Sequence, residues 1–272
     1  MKRINPLIFR EYDIRGIVGE DLTESNAYII GRAYGTLLRK YNVTSAVLAR
    51  DNRLSSYAYS RAVLEALCDT GVDVVDIGMV PTPVFYFARL KYGIEGAVMV
   101  TGSHNPPEFN GFKLGFGRDT LFGPGIQAVR ELAEAGEFEQ GSGRVTQRDP
   151  LPDYAEDIAG RIKLGPKPVL CVVDAGNGAA GPAARKVLDS IGAKYEALFF
   201  EPDGNFPNHH PDPTQVRNLQ HLIRRVRETN ADLGIAFDGD ADRIGVVDRS
   251  GRPVWGDELQ TVFWREILAK HP

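Results

Sequence analysis

Short apolar runs alternate along the chain with stretches of helical length. Ala46–Arg50 reads as a strand and 57–68 as a helix. The valine- and isoleucine-rich run 72–80 has the near-continuous hydrophobicity of a strand buried on both faces. Thr82-Pro83 opens a helix to about Leu90, with proline in the first turn where its missing N–H costs nothing. Gly96–Val100 is strand-like and runs into a polar loop, 110–117 alternates as a further strand, and 125–135 has helical composition. After an interruption the alternation resumes: helix 154–162, strand 169–173, helix 183–191, strand 195–200, helix 219–228 and strand 233–237. Ile244–Asp248 and Pro253-Val254 flank Arg249-Ser250-Gly251-Arg252, a hairpin turn. Such succession predicts an α/β fold: two consecutive three-layer α/β domains with mixed, mostly parallel sheets.

The interruption, 137–152, carries Gly141, Gly143, Pro150 and Pro152 and little that fills a core, so it reads as the domain boundary. We expect domains over 1–149 and 150–252. The remaining 253–272 reads as the opening of a third, because Leu259, Val262, Phe263 and Ile267 fall on one helical face that nothing later covers, with Asp257 placed to cap.

Composition narrows the function classes. The 272 residues suit about two domains. A formal charge of −4 gives neither a nucleic acid nor an anionic membrane anything to attract. No apolar run is long enough for a membrane span, and Met1–Pro6 lacks the apolar stretch of a secretory signal. The two cysteines, Cys68 in a predicted helix and Cys171 in a predicted strand, fit a reducing cytoplasm.

Candidate chemistry lies past strand ends, where α/β sheets place ligands. Thr101-Gly102-Ser103-His104-Asn105-Pro106 sets a hydroxyl beside an imidazole, with Lys113 ten residues on. Read alone, it favours a proline-pinned turn over a catalytic pair; it is no hydrolase elbow, since Thr101 and Asn105 stand where Gly-x-Ser-x-Gly needs glycines. Asp238-Gly239-Asp240-Ala241-Asp242-Arg243 places carboxylates at i, i+2 and i+4, which point the same way in an extended stretch. At about 4 Å and an effective dielectric near 20, each pair repels by roughly 4 kcal/mol. Either the aspartates fan apart in solvent or a hard divalent cation sits among them, and Mg²⁺ leaves room for a phosphate oxygen. An EF-hand is excluded by Arg243 and Arg249 at its glycine and glutamate positions.

Two further motifs are ambiguous. Gly176-Asn177-Gly178-Ala179-Ala180-Gly181 is a literal G-x-G-x-x-G, with Glu196 and Glu201 where a ribose-binding carboxylate would lie. It supports a dinucleotide oxidoreductase or only a tight strand-to-helix crossing; Asp174 beside a pyrophosphate disfavours the former. His209-His210 with Asp203 and Asp212 reads as a solvent-facing proline-rich loop rather than a metal cluster. Tyr12 and Arg15 precede the first helix and gain meaning only as anion-binding groups near Ser103.

Four blocks together resemble the N-terminal part of the α-D-phosphohexomutases, the bacterial phosphomannomutase/phosphoglucomutase group: Tyr12–Gly16, Thr101–Leu114, Asp203–Pro213 and Asp238–Arg243. The resemblance implies that Ser103 is the phosphoserine and that Asp238, Asp240 and Asp242, with a Ser103 phosphate oxygen, hold Mg²⁺. Arg243 would brace the phosphoserine, His104 and Lys113 would move the sugar-hydroxyl proton, and Tyr12, Arg15 and Asn105 would line the substrate site. The implied reaction interconverts hexose 1- and 6-phosphates (glucose or mannose) through a hexose 1,6-bisphosphate, in a cytoplasmic enzyme expected to be a monomer at full length. Ala241 departs from the family's usual glycine. The family's third and fourth domains have no counterpart here, so an incomplete, poorly active fragment is expected, with a non-catalytic phosphosugar-binding or regulatory module as the alternative and a dinucleotide oxidoreductase a remote one. On this reading Lys113 adds nothing to metal affinity.

Overall fold

The structure, a computed structural model, describes residues 4–271. Its first sheet is built from β1 (Ile14–Ile17), β2 (Ser45–Arg50), β3 (Asp73–Met79), β4 (Gly96–Val100), β5 (Phe109–Phe116), β6 (Asp119–Thr120) and β7 (Val145–Gln147). Helices α1 (Glu24–Lys40), α2 (Ser56–Asp69), α3 (Thr82–Tyr92) and α4 (Pro124–Ala135) connect them. The spatial order is β1-β5-β4-β2-β3-β7, with β6 paired to β5. The centre, β4-β2-β3-β7, is parallel and the β1, β5 and β6 edge antiparallel. Every residue of β4 is buried, which is why its five residues carry no polar side chain.

The second sheet orders β12 (Pro253–Val254), β11 (Ile244–Asp248), β10 (Leu233–Phe237), β8 (Leu170–Asp174) and β9 (Lys194–Leu198). It carries α5 (Leu151–Arg161), α6 (Ala180–Ser190) and α7 (Gln220–Thr229). β10-β8-β9 is parallel; β11 and β12 return antiparallel.

Three differences from the sequence reading have physical causes. That reading names no element over 14–17 or 24–40. The structure places β1 as an edge strand against β5 and makes α1 the longest helix, its ten buried residues packed on α2 and α4. The 137–152 stretch does not hang free: Phe138 packs against the first core, Leu151 packs against the α3 cluster, and Val145–Gln147 pairs parallel with β3. The last helix, α8 (Gly256–Lys270), has Trp255 rather than Asp257 at its N-cap position, with the Trp255 N–H donating to Glu258 Oε2 at 3.1 Å, and Val262, Phe263, Trp264, Ile267 and Leu268 are exposed. One residue before it, Pro253-Val254 pairs with β11.

A shared apolar seam joins the two sheets. Val84, Phe85 and Ala88 of α3 cluster with Ala183 of α6, and Tyr154 of α5 meets Phe87 edge-on at 5.2 Å. This seam fixes the C-terminal ends of β4 and β10 next to one another, which is where the candidate chemistry lies.

Candidate active site

The Ser103 loop begins where β4 ends. Thr101 Oγ1 accepts the Ser103 N–H at 2.8 Å, and Ser103 takes a left-handed φ of 51°. Its Oγ stands 3.0 Å from Asp238 Oδ2 and 3.1 Å from His104 Nδ1. The close fit requires glycine opposite: a Cβ on Gly239 would lie 2.6 Å from the Ser103 carbonyl oxygen.

The aspartates converge, but not as an extended stretch. Residues 238–243 turn the chain from β10 into antiparallel β11, with Ala241 at φ 58°. The turn still brings one oxygen of each carboxylate within 4.8 Å of the others. Asp238 Oδ1 accepts the Arg243 N–H at 3.0 Å, and Asp240 Oδ2 accepts from Thr82 Oγ1 at 2.7 Å across the seam. Asp240 Oδ1 is buried with no partner.

Lys113, on β5, reaches into this cluster. Its Nζ donates to Asp240 Oδ2 at 2.9 Å and to Asp242 Oδ2 at 2.5 Å. The donor set therefore fits a hard cation: three convergent oxygens, one of them orphaned, with an ammonium already drawn between two of them. Electrostatics agree. Burial first, then Asp240 and Asp242, push the Asp238 carboxyl up to about 8. Burial alone would push Asp240 up, but Lys113 outweighs it and holds Asp240 low. Burial would likewise lower Lys113, yet the two carboxylates together raise it well above an ordinary lysine. Burial, helped by Arg243 and Arg15, lowers His104 and keeps its imidazole neutral.

These groups border a cleft of about 420 Å³ whose lining includes Arg10, Tyr12, Arg15, Ser103, His104, Lys113, Asp242 and Arg243. Arg15 donates to Asn105 Oδ1 at 2.5 Å and pairs with Asp13. Tyr12 is 74% exposed at the rim, free to meet a ligand. Arg243 bonds the cluster through its backbone, and its exposed side chain lines the cleft. The residues of the Ser103 loop, the aspartate cluster, Lys113, Tyr12, Arg15 and Arg243 are thus brought to one place.

The two ambiguous motifs resolve differently. A Cβ on Gly181 would lie 1.8 Å from the Phe200 carbonyl oxygen, so that glycine serves the strand-to-helix crossing. Asp174 is occupied by the Gly176 N–H and His209. The histidine pair is not solvent-facing. His209 Nε2 sits 2.9 Å from Asp174 Oδ2, and His210 Nε2 donates to the His104 carbonyl at 2.7 Å, bracing the Ser103 loop from the second sheet. Sequence reading missed Asp51, Arg53, Thr82, Tyr86 and Arg10. Asp51-Asn52-Arg53 lies just past the end of β2, so the strand-end rule that singled out Ser103 points there too.

Comparison with known proteins accords with this geometry. Family models described as phosphoglucomutase/phosphomannomutase, alpha/beta/alpha domains I and II, match residues 6–140 and 152–251. A phosphomannomutase/phosphoglucomutase of Pseudomonas aeruginosa is 45% identical over 265 residues, 97% of this chain and 57% of its own length. A phosphoglucomutase of Neisseria gonorrhoeae is 43% identical over 276 residues, 100% of this chain and 59% of its own. The crystal structure of a phosphoglucomutase/phosphomannomutase family protein from Burkholderia thailandensis superposes with a TM-score of 0.94 at 44% identity, covering 99% of this chain and 60% of that one. The chain thus spans somewhat over half the length of these relatives. With both consecutive domain models matched in order and their strand ends meeting at one cleft, the chain belongs to the phosphoglucomutase/phosphomannomutase family.

Proposed function

We propose that the chain carries the phosphoryl-accepting and metal-binding part of a phosphohexomutase, an isomerase that interconverts hexose 1-phosphate and hexose 6-phosphate through a hexose 1,6-bisphosphate. The observation that carries this reading is the Ser103 hydroxyl, 3.0 Å from one of three convergent carboxylates and open to a cleft rimmed by Arg10, Arg15, Lys113 and Arg243. A cationic rim on a site of this size suits a sugar phosphate.

In the forward half-reaction the phosphoryl group passes from Ser103 Oγ to a sugar hydroxyl. The P–Oγ bond breaks, a new O–P bond forms, and the hydroxyl gives up its proton. Neutral His104 is able to receive that proton, while Lys113, held protonated, donates a hydrogen bond to an incoming oxygen. Asp238, Asp240 and Asp242 would hold Mg²⁺, whose charge offsets that of a phosphoserine beside them. Arg243 and Arg15 grip phosphate oxygens, and Asn105 keeps Arg15 aimed inward. The return transfer to Ser103 from the other end of the reoriented bisphosphate completes the isomerisation. Cys68 and Cys171 are free thiols, which supports a cytoplasmic setting.

Incubation with radiolabelled hexose 1,6-bisphosphate and Mg²⁺ tests the reading: Ser103 should take the label and Ser103→Ala should not. Saturable binding of the bisphosphate with no label on the wild-type chain would favour a phosphosugar-binding module instead.

A further inference from the structure

The backbone of the Ser103 loop turns its carbonyls inward, towards a single guanidinium. Arg53, just beyond β2, is only 3% exposed. Its Nη2 donates to the carbonyls of Ser103 at 2.8 Å and Asn105 at 2.6 Å. Its Nη1 donates to those of Pro106 at 2.7 Å and Phe109 at 2.9 Å. The carbonyl in between, that of His104, is the one His210 takes. Three successive carbonyls are therefore anchored, two by Arg53 and one by His210 of the loop after β9.

Asp51 and Phe206 flank the arginine in turn, while its Nε makes no hydrogen bond. Asp51 Oδ2 lies 3.4 Å from its Nε and also accepts the Gly102 N–H at 3.1 Å, while Asp51 Oδ1 accepts the Arg53 N–H at 3.0 Å. The Phe206 ring sits 5.6 Å from the guanidinium carbon. A Cβ on Gly102 would lie 2.5 Å from that guanidinium, so glycine precedes Ser103 because Arg53 occupies the space. Arg53 does not border the cleft.

A left-handed serine is unfavourable in isolation and persists only where its surroundings impose it. Here the imposing contacts are identifiable. We propose that Arg53 is a positioning residue for phosphoryl transfer: its planar fork fixes the Ser103 backbone so that Oγ meets the carboxylate cluster, without itself touching substrate. The proposal rests on Ser103 being the phosphoryl acceptor. Lysine cannot replace it, because an ammonium offers three donors on one atom and cannot span four carbonyls in a plane. Misplacing a reacting oxygen by about 1 Å is enough to cost about 100-fold in rate.

The test is Arg53→Lys, which keeps the charge opposite Asp51 and loses only the fork. Labelling of Ser103 from hexose 1,6-bisphosphate should slow by about 30- to 100-fold per folded molecule at saturation, with the half-saturating concentration changed by less than about threefold. A purely structural arginine would lower the melting temperature and leave the rate per folded molecule untouched; that result overturns the proposal. If Arg53→Lys does not fold, Gly102→Ala, whose methyl displaces the fork while keeping every donor, should give the same loss at saturation, and a wild-type rate there overturns it equally. Amide hydrogen exchange separates this inference from the functional reading. Should the wild-type chain take no label, the role of Ser103 fails but exchange still decides. Amides of 103–105 exchanging at least tenfold faster in Arg53→Lys, with β2 and β4 unchanged, uphold the positioning; equal exchange refutes it.

Discussion

The two loops that meet at the cleft are built on opposite principles. In the Ser103 loop the carbonyls of residues 103, 104 and 105 are each bonded to a buried or half-buried side chain, and the strained serine is held by those bonds. In the 238–243 loop charge is concentrated and left incompletely matched: an orphaned Asp240 oxygen, an Asp238 carboxyl pushed up, and a lysine shared between two aspartates. The contrast teaches what each loop is for. Under the proposed function, a nucleophile needs one place, and its loop is satisfied; a cation site needs unspent affinity, and its loop retains electrostatic repulsion that a cation would relieve.

That contrast is broken most severely by Asp238→Asn. Mg²⁺ affinity, read by calorimetry, should fall about 100-fold, roughly 2.7 kcal/mol. The metal-free variant should melt higher than wild type, since a buried like-charge repulsion is gone. A lower melting temperature would mean that the carboxylate stabilises the fold and the loop is not electrostatically strained.

Lys113→Met sharpens the comparison from the other side. Lys113 bonds two of the three carboxylates, which bears directly on the expectation that it leaves metal affinity untouched. Its removal takes away a competing cation, and Mg²⁺ should bind about tenfold tighter, about 1.4 kcal/mol. Unchanged affinity in the same titration would show that lysine and metal occupy the cluster independently.

Ala241→Gly tests the turn. Alanine at φ 58° carries about 1 kcal/mol of strain, and glycine returns part of that as chain entropy. A net gain of about 0.5 kcal/mol is expected, visible as a rise of roughly 1–2 °C in melting temperature. A fall would mean that the methyl's packing near Phe237 outweighs the strain.

The smallest effect is a pH slope. Burial would lower His209, but the bond and charge of Asp174 outweigh it and raise its pKa. Protonated His209 therefore stabilises the fold. That stability is complete below the unfolded histidine value near 6.5 and is lost as pH rises through the raised folded value. Relative to His209→Gln, the wild-type melting temperature should decline between pH 6 and 8; parallel curves would remove the ion pair from the account.

Much of the site was legible because its chemistry is local. Ser103, His104 and Asn105 lie on one short loop, and three aspartates in five residues announce themselves wherever they occur. The carboxylates were expected to converge from an extended stretch, yet they converge from a turn, because β10 must reverse into β11 and Ala241 takes the left-handed conformation. The histidine pair was misread for a different reason. Four prolines in 201–214 mark an irregular loop truthfully, but irregular backbone says nothing of whether a second domain lies against it. Arg53 sits at a strand end, which marks its place, but its role left no local signal: its partners are carbonyls 50 to 56 residues away, which no side-chain pattern encodes.

By itself the sequence determined the alternation of strands and helices, since burial on two faces or one imposes a period that composition displays. It also determined which side chains carry charge and nucleophilicity. The tertiary structure decided their meeting. Lys113 and Asp240 are 127 residues apart, and Ser103 and Asp238 are 135 apart. Their distances depend on the angle at which two sheets pack along the α3–α6 seam. That angle is a sum of many small van der Waals contacts spread over residues far apart in the chain, so no short stretch of sequence contains it.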